Sequence, residues 1–166
     1  LVRLVTGNVH ADGRIGPWRM RKTELRVDFE EDDKPFARIT MEHDNGDRRT
    51  VTHEGEGPIA FGDYEVRVFH TPGHCPGGVC LAVSRQGHPA APWLFVGDTL
   101  FAGSIGRTDL PGGDYETLLR AITEVLFSFP DDSIVYSGHG PQTTIGRERA
   151  TNPFVLEYLA RLRSTR

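Results

Sequence analysis

From Lys22 onward, apolar and polar positions alternate. Leu25, Val27 and Phe29 fall on one side, and Arg26, Asp28 and Glu30 on the other. Period-two alternation predicts a strand with one buried face. Glu31-Asp32-Asp33-Lys34-Pro35 turns the chain, and the alternation resumes at Ala37, Ile39 and Met41. Asp44-Asn45-Gly46-Asp47 is a hairpin-turn sequence, with Arg49-Thr50-Val51-Thr52 as its return strand. Residues 22–54 therefore read as an antiparallel β-meander with one charged face. A strand candidate at Leu1-Val2-Arg3-Leu4-Val5 and a turn-rich stretch, Gly7 to Gly13, come before it.

A second strand system follows at Tyr64–Phe69, Val79–Val83 and Trp93–Val96. Trp93-Leu94-Phe95-Val96 is apolar on both faces, which marks a buried central strand. Asp114 is placed to cap a helix running to about Phe127, with Leu118, Leu119, Ile122, Val125 and Leu126 at helical spacing. Ile134-Val135-Tyr136 is another short buried strand. Asn152-Pro153 opens a last helix from Phe154 to Arg163, with a cap and then proline in the first turn. No repeat or interdomain linker interrupts the sequence, so residues 1–166 are expected to form a single domain.

Composition narrows the function classes. The 166 residues carry 19 Lys+Arg against 23 Asp+Glu, a net charge of −4, with no basic stripe to meet phosphates. Nucleic acid is therefore not expected as a partner. Apolar runs are too short for a membrane span, and no charged-then-apolar leader is read, so a cytoplasmic location is expected. The chain starts at Leu1 rather than Met, which leads to the expectation of a fragment or processed product. Cys75 and Cys80 fit neither a disulfide framework nor paired C-x-x-C zinc units; Cys80 reads as a small buried thiol. Charge is uneven: residues 1–60 hold 22 charged side chains, against 20 in residues 61–166, which also carry 13 of the 19 glycines. The first third reads as a solvated layer and the rest as a core cut by tight glycine turns.

Three polar residues each follow a predicted strand inside a glycine-rich turn. They are His74 in His70-Thr71-Pro72-Gly73-His74, Asp98 in Val96-Gly97-Asp98, and His139 in Gly138-His139-Gly140-Pro141. Glycines let the backbone turn sharply and leave the next side chain at the sheet edge. Two imidazoles and a carboxylate gathered there suit Zn²⁺ or Fe²⁺. Taken singly, a residue of this kind in a turn is more often a solvated or hydrogen-bonded one. Pro72 and Gly73 exclude a helix joining His70 to His74, so His70 is assigned to the strand end. A serine or cysteine hydrolase is disfavoured, because Gly103-Ser104-Ile105-Gly106 is not a G-x-S-x-G elbow.

These motifs, with Gly106-Arg107-Thr108-Asp109 and Asn152-Pro153-Phe154, resemble the metallo-β-lactamase superfamily over residues 59–158. Within it they resemble the hydroxyacylglutathione hydrolase (glyoxalase II-like) branch and the related persulfide dioxygenases. The resemblance implies an α/β fold, an αββα sandwich with a metal site at one edge. It also implies that His74 ligates a first metal, His139 a second, and that Asp98 bridges them. The family's opening motif, His-x-His-x-Asp-His, is degenerate here. Asn8-Val9-His10-Ala11-Asp12-Gly13 keeps its second His and its Asp, with Asn8 and Gly13 in place of the other two ligands. By that alignment His10 would join His74 and Asp98 on one metal, and Asp12 would join Asp98 and His139 on the other. Without His10 and Asp12 each metal keeps two ligands.

The implied activity is hydrolysis of a thioester or related acyl-thiol by hydroxide formed at zinc, or iron, with Asp12 orienting the water. Arg107 is either an anchor for an anionic substrate or the partner of Asp109 or Asp114 in an ion pair. The competing reading is a non-catalytic relative with an impaired metal site, serving binding or assembly. The charged meander replaces the helix and strand usual in the family, and its opening strands are absent. The fold is therefore expected to be N-terminally truncated, with a missing segment or a second copy in a homodimer covering an exposed edge.

Overall fold

The computed structural model describes residues 3–6, 14–15, 18–26, 36–43, 45–46, 48–54, 58–61, 63–87 and 90–164. The first third forms one antiparallel sheet. Its strands are β1 (Arg3–Thr6), β2 (Arg14–Ile15), β3 (Trp18–Arg26), β4 (Phe36–His43) and β5 (Arg48–Glu54). The order is β1-β3-β4-β5, with β2 also paired to β3. The expected meander is therefore present, with β3 beginning four residues before Lys22. The Asn45-Gly46 pair makes the β4–β5 turn, with Gly46 at φ +89°, a backbone angle that glycine adopts without a Cβ penalty. The predicted strand residues Val27 and Phe29, the turn at 31–35 and the Gly7–Gly13 stretch lie outside the described residues.

The second sheet carries the remaining strands. These are β6 (Ile59–Phe61), β7 (Tyr64–His70), β8 (Val79–Arg85), β9 (Trp93–Gly97), β12 (Ile134–Ser137) and β13 (Thr143–Thr144). A separate small hairpin, β10 (Leu100–Phe101) with β11 (Ser104–Ile105), follows β9. The six-stranded order is β13-β12-β9-β8-β7-β6. β8 runs antiparallel to both β7 and β9, while β12 runs parallel to β9. The C-terminal ends of β7, β9 and β12 thus point to the same edge of the sheet. Leu94, Phe95 and Val96 of β9 are all buried, as a central strand requires.

Helices cover one face. The predicted helix is helical to Ser128, but only Tyr115–Arg120 is α-helix (α1). Ala121–Val125 forms a π turn and Leu126–Ser128 a 3-10 turn. The Thr123 hydroxyl donates to the Leu119 carbonyl at 2.8 Å, four residues back, inside this widened stretch. Asp114 caps α1 through its carboxylate, which accepts from the Thr117 N–H at 2.7 Å. Leu118, Leu119, Ile122 and Leu126 pack with Cys80, Ala82, Leu94, Val96 and Val135 of the sheet in one core cluster. Each fully buried Leu or Ile contributes about 1.5–3 kcal/mol, which outweighs any surface ion pair in fixing the layers.

Two helices close the chain, α2 (Ile145–Thr151) and α3 (Pro153–Ser164). Nothing in the sequence pattern pointed to α2, because its inward positions are Ile145 and Glu148 rather than an apolar stripe. Glu148 is fully buried. Its carboxylate accepts from Gly103 N–H (2.8 Å), the Thr143 hydroxyl (2.5 Å) and the Asn152 amide (2.9 Å). Asn152 in turn donates to the Ser104 carbonyl at 3.0 Å, and its oxygen accepts from the Phe154 N–H at 3.2 Å to cap α3. This network fastens the β10–β11 hairpin to the last two helices. Among the described residues no helix is long and apolar enough to cross a membrane.

Removing a buried carboxylate strands its donors, each at a cost of about 1–3 kcal/mol. Glu148→Ala should therefore destabilise the fold by on the order of 3 kcal/mol, read as a lowered urea midpoint at unchanged slope.

Candidate metal centre

Three loops leave the common sheet edge, each from the C-terminal end of a strand. After β7 the chain forms a closed loop. Thr71 N–H donates to the Gly78 carbonyl at 2.8 Å, and His70 Nε2–H donates to the Pro76 carbonyl at 2.9 Å. His70 thus ends β7 as expected and clamps the loop that presents His74. After β9, Asp98 follows Gly97. After β12, Gly138 N–H donates to the Gly97 carbonyl at 2.8 Å, tying the two strand ends together and setting His139 beside Asp98.

The three residues meet on one oxygen. His74 Nε2 lies 3.7 Å from Asp98 Oδ2, and His139 Nε2 lies 3.5 Å from the same atom. Both separations are long for a hydrogen bond. Two zinc ligands at bond lengths of about 2.0–2.2 Å and a tetrahedral angle stand about 3.4 Å apart, close to both values. The arrangement is two donor pairs sharing Asp98 rather than one three-donor nest. Among the described residues, no group of three or more His, Cys, Asp or Glu side chains is arranged to hold an ion. His10 and Asp12, the other predicted ligands, lie outside the described residues.

His74 has a defined proton position. Its Nδ1 is 2.8 Å from the Arg107 carbonyl, an atom that can only accept, so Nδ1 carries the hydrogen. The neutral ring then presents the Nε2 lone pair toward Asp98, the orientation a metal-binding imidazole needs. His139 is held through its backbone, whose carbonyl accepts from the Ser137 hydroxyl at 2.8 Å. Its side chain is 76% exposed, against 25% for His74 and 29% for Asp98, so His139 forms the open rim.

Of the ion pairs read from the sequence for Arg107, the structure shows the one with Asp109. Its guanidinium donates from Nε and Nη2 to Asp109 Oδ1 and Oδ2 at 2.7 and 2.6 Å. Asp114 is occupied in capping α1. The part of Arg107 that reaches the site is its backbone carbonyl, an atom every residue carries, which is why no side-chain pattern could reveal it. Burial pushes the Cys75 thiol up, more strongly than the Gly77 backbone hydrogen bond lowers it, so it is not an activated nucleophile. Cys80 is fully buried, as read, and both thiols are free.

Two glycines leave the space that Asp98 fills. A Cβ on Gly138 would overlap Asp98 Oδ1, and one on Gly106 would overlap the Asp98 backbone carbonyl. The Gly-His-Gly and Gly-Arg-Thr-Asp sequences therefore carry steric information as well as side chains.

A family model for the metallo-beta-lactamase superfamily matches residues 9–139, and the chain belongs to that superfamily. The matched span runs from just before His10 to His139. Over 102 residues the chain is 44% identical to the probable metallo-hydrolase YqgX of Bacillus subtilis, covering 61% of this chain and 46% of the relative. Over 107 residues it is 42% identical to the hydroxyacylglutathione hydrolase GloC of Haemophilus influenzae, covering 64% and 48%. Its backbone is similar to the crystal structure of the BLEG-1 B3 metallo-beta-lactamase, with 47% identity and a TM-score of 0.53. That match covers 62% of this chain and 47% of the other. The chain spans about half the length of the curated relatives it matches.

Gly138→Ala should push the Asp98 carboxylate aside while the fold survives, because the clashing atom ends a movable side chain. A crystal structure of the variant should show Asp98 Oδ2 displaced from at least one imidazole, with a melting temperature within about 4 °C of the parent.

Proposed function

We propose that this chain carries the metal-binding edge of a hydrolase acting on a thioester or related acyl-thiol. The observation that carries the reading is the single carboxylate oxygen, Asp98 Oδ2, faced by two imidazole Nε2 atoms at 3.7 and 3.5 Å. Nitrogen and carboxylate donors of this kind suit zinc, and iron as well. His74 and Asp98 would hold one divalent ion and His139 and Asp98 a second, with His10 and Asp12 completing the two sets.

A bound divalent metal supplies Lewis acidity and makes water nucleophilic near neutral pH. The protein's own groups do the rest. His74 offers a lone pair already aimed by the Arg107 carbonyl, so no ring reorientation is needed. Asp98 adds negative charge where cations are needed, and its ion-pair contacts among the described residues are the two histidines. His139 stands at the solvent-facing rim, where a substrate carbonyl can approach. Asp12 would accept the proton of the attacking water. Arg107 would use the N–H groups beyond its two bonds to Asp109 to meet an anionic part of the substrate. The acyl-thiol class is supported by the family resemblance and by the name of the Haemophilus influenzae relative.

A second reading has one observation in its favour. Asn8 and Gly13 stand where the family's opening motif has ligands, as in a binding or assembly protein with an impaired site. Metal analysis separates the readings: at least one ion per chain supports the hydrolase, and less than one supports the alternative.

With an S-(2-hydroxyacyl)glutathione as probe, His74→Ala and Asp98→Ala should each lower kcat/KM by about 100-fold or more. Chelation should abolish the activity, and added Zn²⁺ or Fe²⁺ should restore it. Activity that survives both substitutions would exclude this site as its source.

A further inference from the structure

The exposed pair Arg107–Asp109 has a geometry out of proportion to its worth as a surface salt bridge. The side chains are 61% and 67% exposed, a setting in which ion pairs contribute little to stability. Yet the guanidinium meets both carboxylate oxygens at 2.7 and 2.6 Å across only two residues, closing a tight ring over the 107–109 backbone. The same backbone carries the carbonyl that accepts from His74 Nδ1 at 2.8 Å.

We propose that the Arg107–Asp109 pair is a positioning clasp for His74. It fixes the Arg107 peptide so that its carbonyl holds His74 as the Nδ1–H tautomer with Nε2 turned to Asp98. The inference rests on the reading of His74 as a metal ligand. Backbone contacts hold the segment on either side of the Arg107 peptide, and on the far side the Thr108 carbonyl lies against Gly113 with no room for a side chain. Gly106 N–H reaches the Thr99 carbonyl at a long 3.4 Å, and Gly106 lies against the Asp98 carbonyl with no room for a side chain. These contacts place residues 106 and 108, and the bidentate ring spans the peptide between them. The hydrogen bond from Arg107 holds the Asp109 carboxyl down to about 2, so the clasp stays charged through neutral and mildly acidic pH.

Toward His74, Arg107 and Asp109 are thus positioning residues: they act on that ring through a backbone atom. This explains why an arginine beside the metal edge spends its fork on a neighbour two residues away. Lysine could keep the charge at 107 but not the planar two-point contact.

The test uses the full chain, labelled with ¹⁵N-histidine, freed of metal by chelation and held about 1.5 units above the ordinary imidazole pKa of about 6.5. Histidine ring-nitrogen spectra should show wild-type His74 protonated at Nδ1 and bare at Nε2. Asp109→Asn and Arg107→Lys should each give a mixture of both tautomers at His74, with little change in melting temperature. Zn²⁺ titration of the same samples should show affinity weakened about 10-fold. A His74 that keeps the pure Nδ1–H form in both variants would overturn the clasp while leaving the ligand reading intact. A wild-type His74 whose Nε2 signal ignores Zn²⁺ would instead overturn the ligand reading, and with it the clasp's purpose.

Discussion

The hydrogen bond from Gly138 N–H to the Gly97 carbonyl, 2.8 Å long, is the constraint on which the site depends. It joins the C-terminal ends of two parallel strands at the point where their pairing register shifts, between Tyr136 and Ser137. Asp98 and His139 then leave the sheet side by side. Parallel strands place like ends together, and open α/β sheets bind ligands outside those carboxyl ends. β7 joins the same edge only because the antiparallel β8 lies between it and β9. The topology therefore brings together residues 74, 98 and 139, which are far apart in sequence.

Energetic and functional roles are divided between the two sides of this edge. Behind it, Leu94, Val96 and Val135 are sealed under Leu118, Leu119 and Ile122, and hydrophobic burial fixes the strands. The hairpin that follows Asp98 sends Leu100 and Ile105 into this core. It is fastened in addition by Glu148 and Asn152. In front of the edge, polar contacts of low energetic worth set directions: His70 closes its loop, the Arg107 carbonyl aims an imidazole, and two glycines give the carboxylate its space. Precision at the site is thus obtained from a rigid apolar support and short-range geometry rather than from strong ionic bonds.

Much of this was legible in the sequence. Alternation revealed the meander, since period two survives any tertiary context that buries one face. The apolar run of β9 and the Asn152-Pro153 start of α3 were equally plain, because each follows from local chemistry. The strand-glycine-His or strand-glycine-Asp pattern singled out His74, Asp98 and His139, whose side chains the fold brings together. What escaped depends on non-local or backbone atoms. α2 has a buried glutamate where a periodic helix shows leucine, so its signal was hidden by the network it serves. The π turn after Arg120 leaves the apolar spacing almost unchanged. The Arg107 carbonyl and the space beside Gly138 have no side chain to read. The choice between Asp109 and Asp114 as partner of Arg107 needed the cap on α1 to be seen.

The central claim is that His74, Asp98 and His139 share the holding of metal at this edge. The most direct measurement is anomalous diffraction at the zinc edge from crystals of the full chain grown with Zn²⁺. An anomalous peak within about 2.0–2.2 Å of Asp98 Oδ2 and of an imidazole Nε2 from His74 or His139 is the expected result. Zinc bound elsewhere, with no ion between Asp98 and the two histidines, would contradict it.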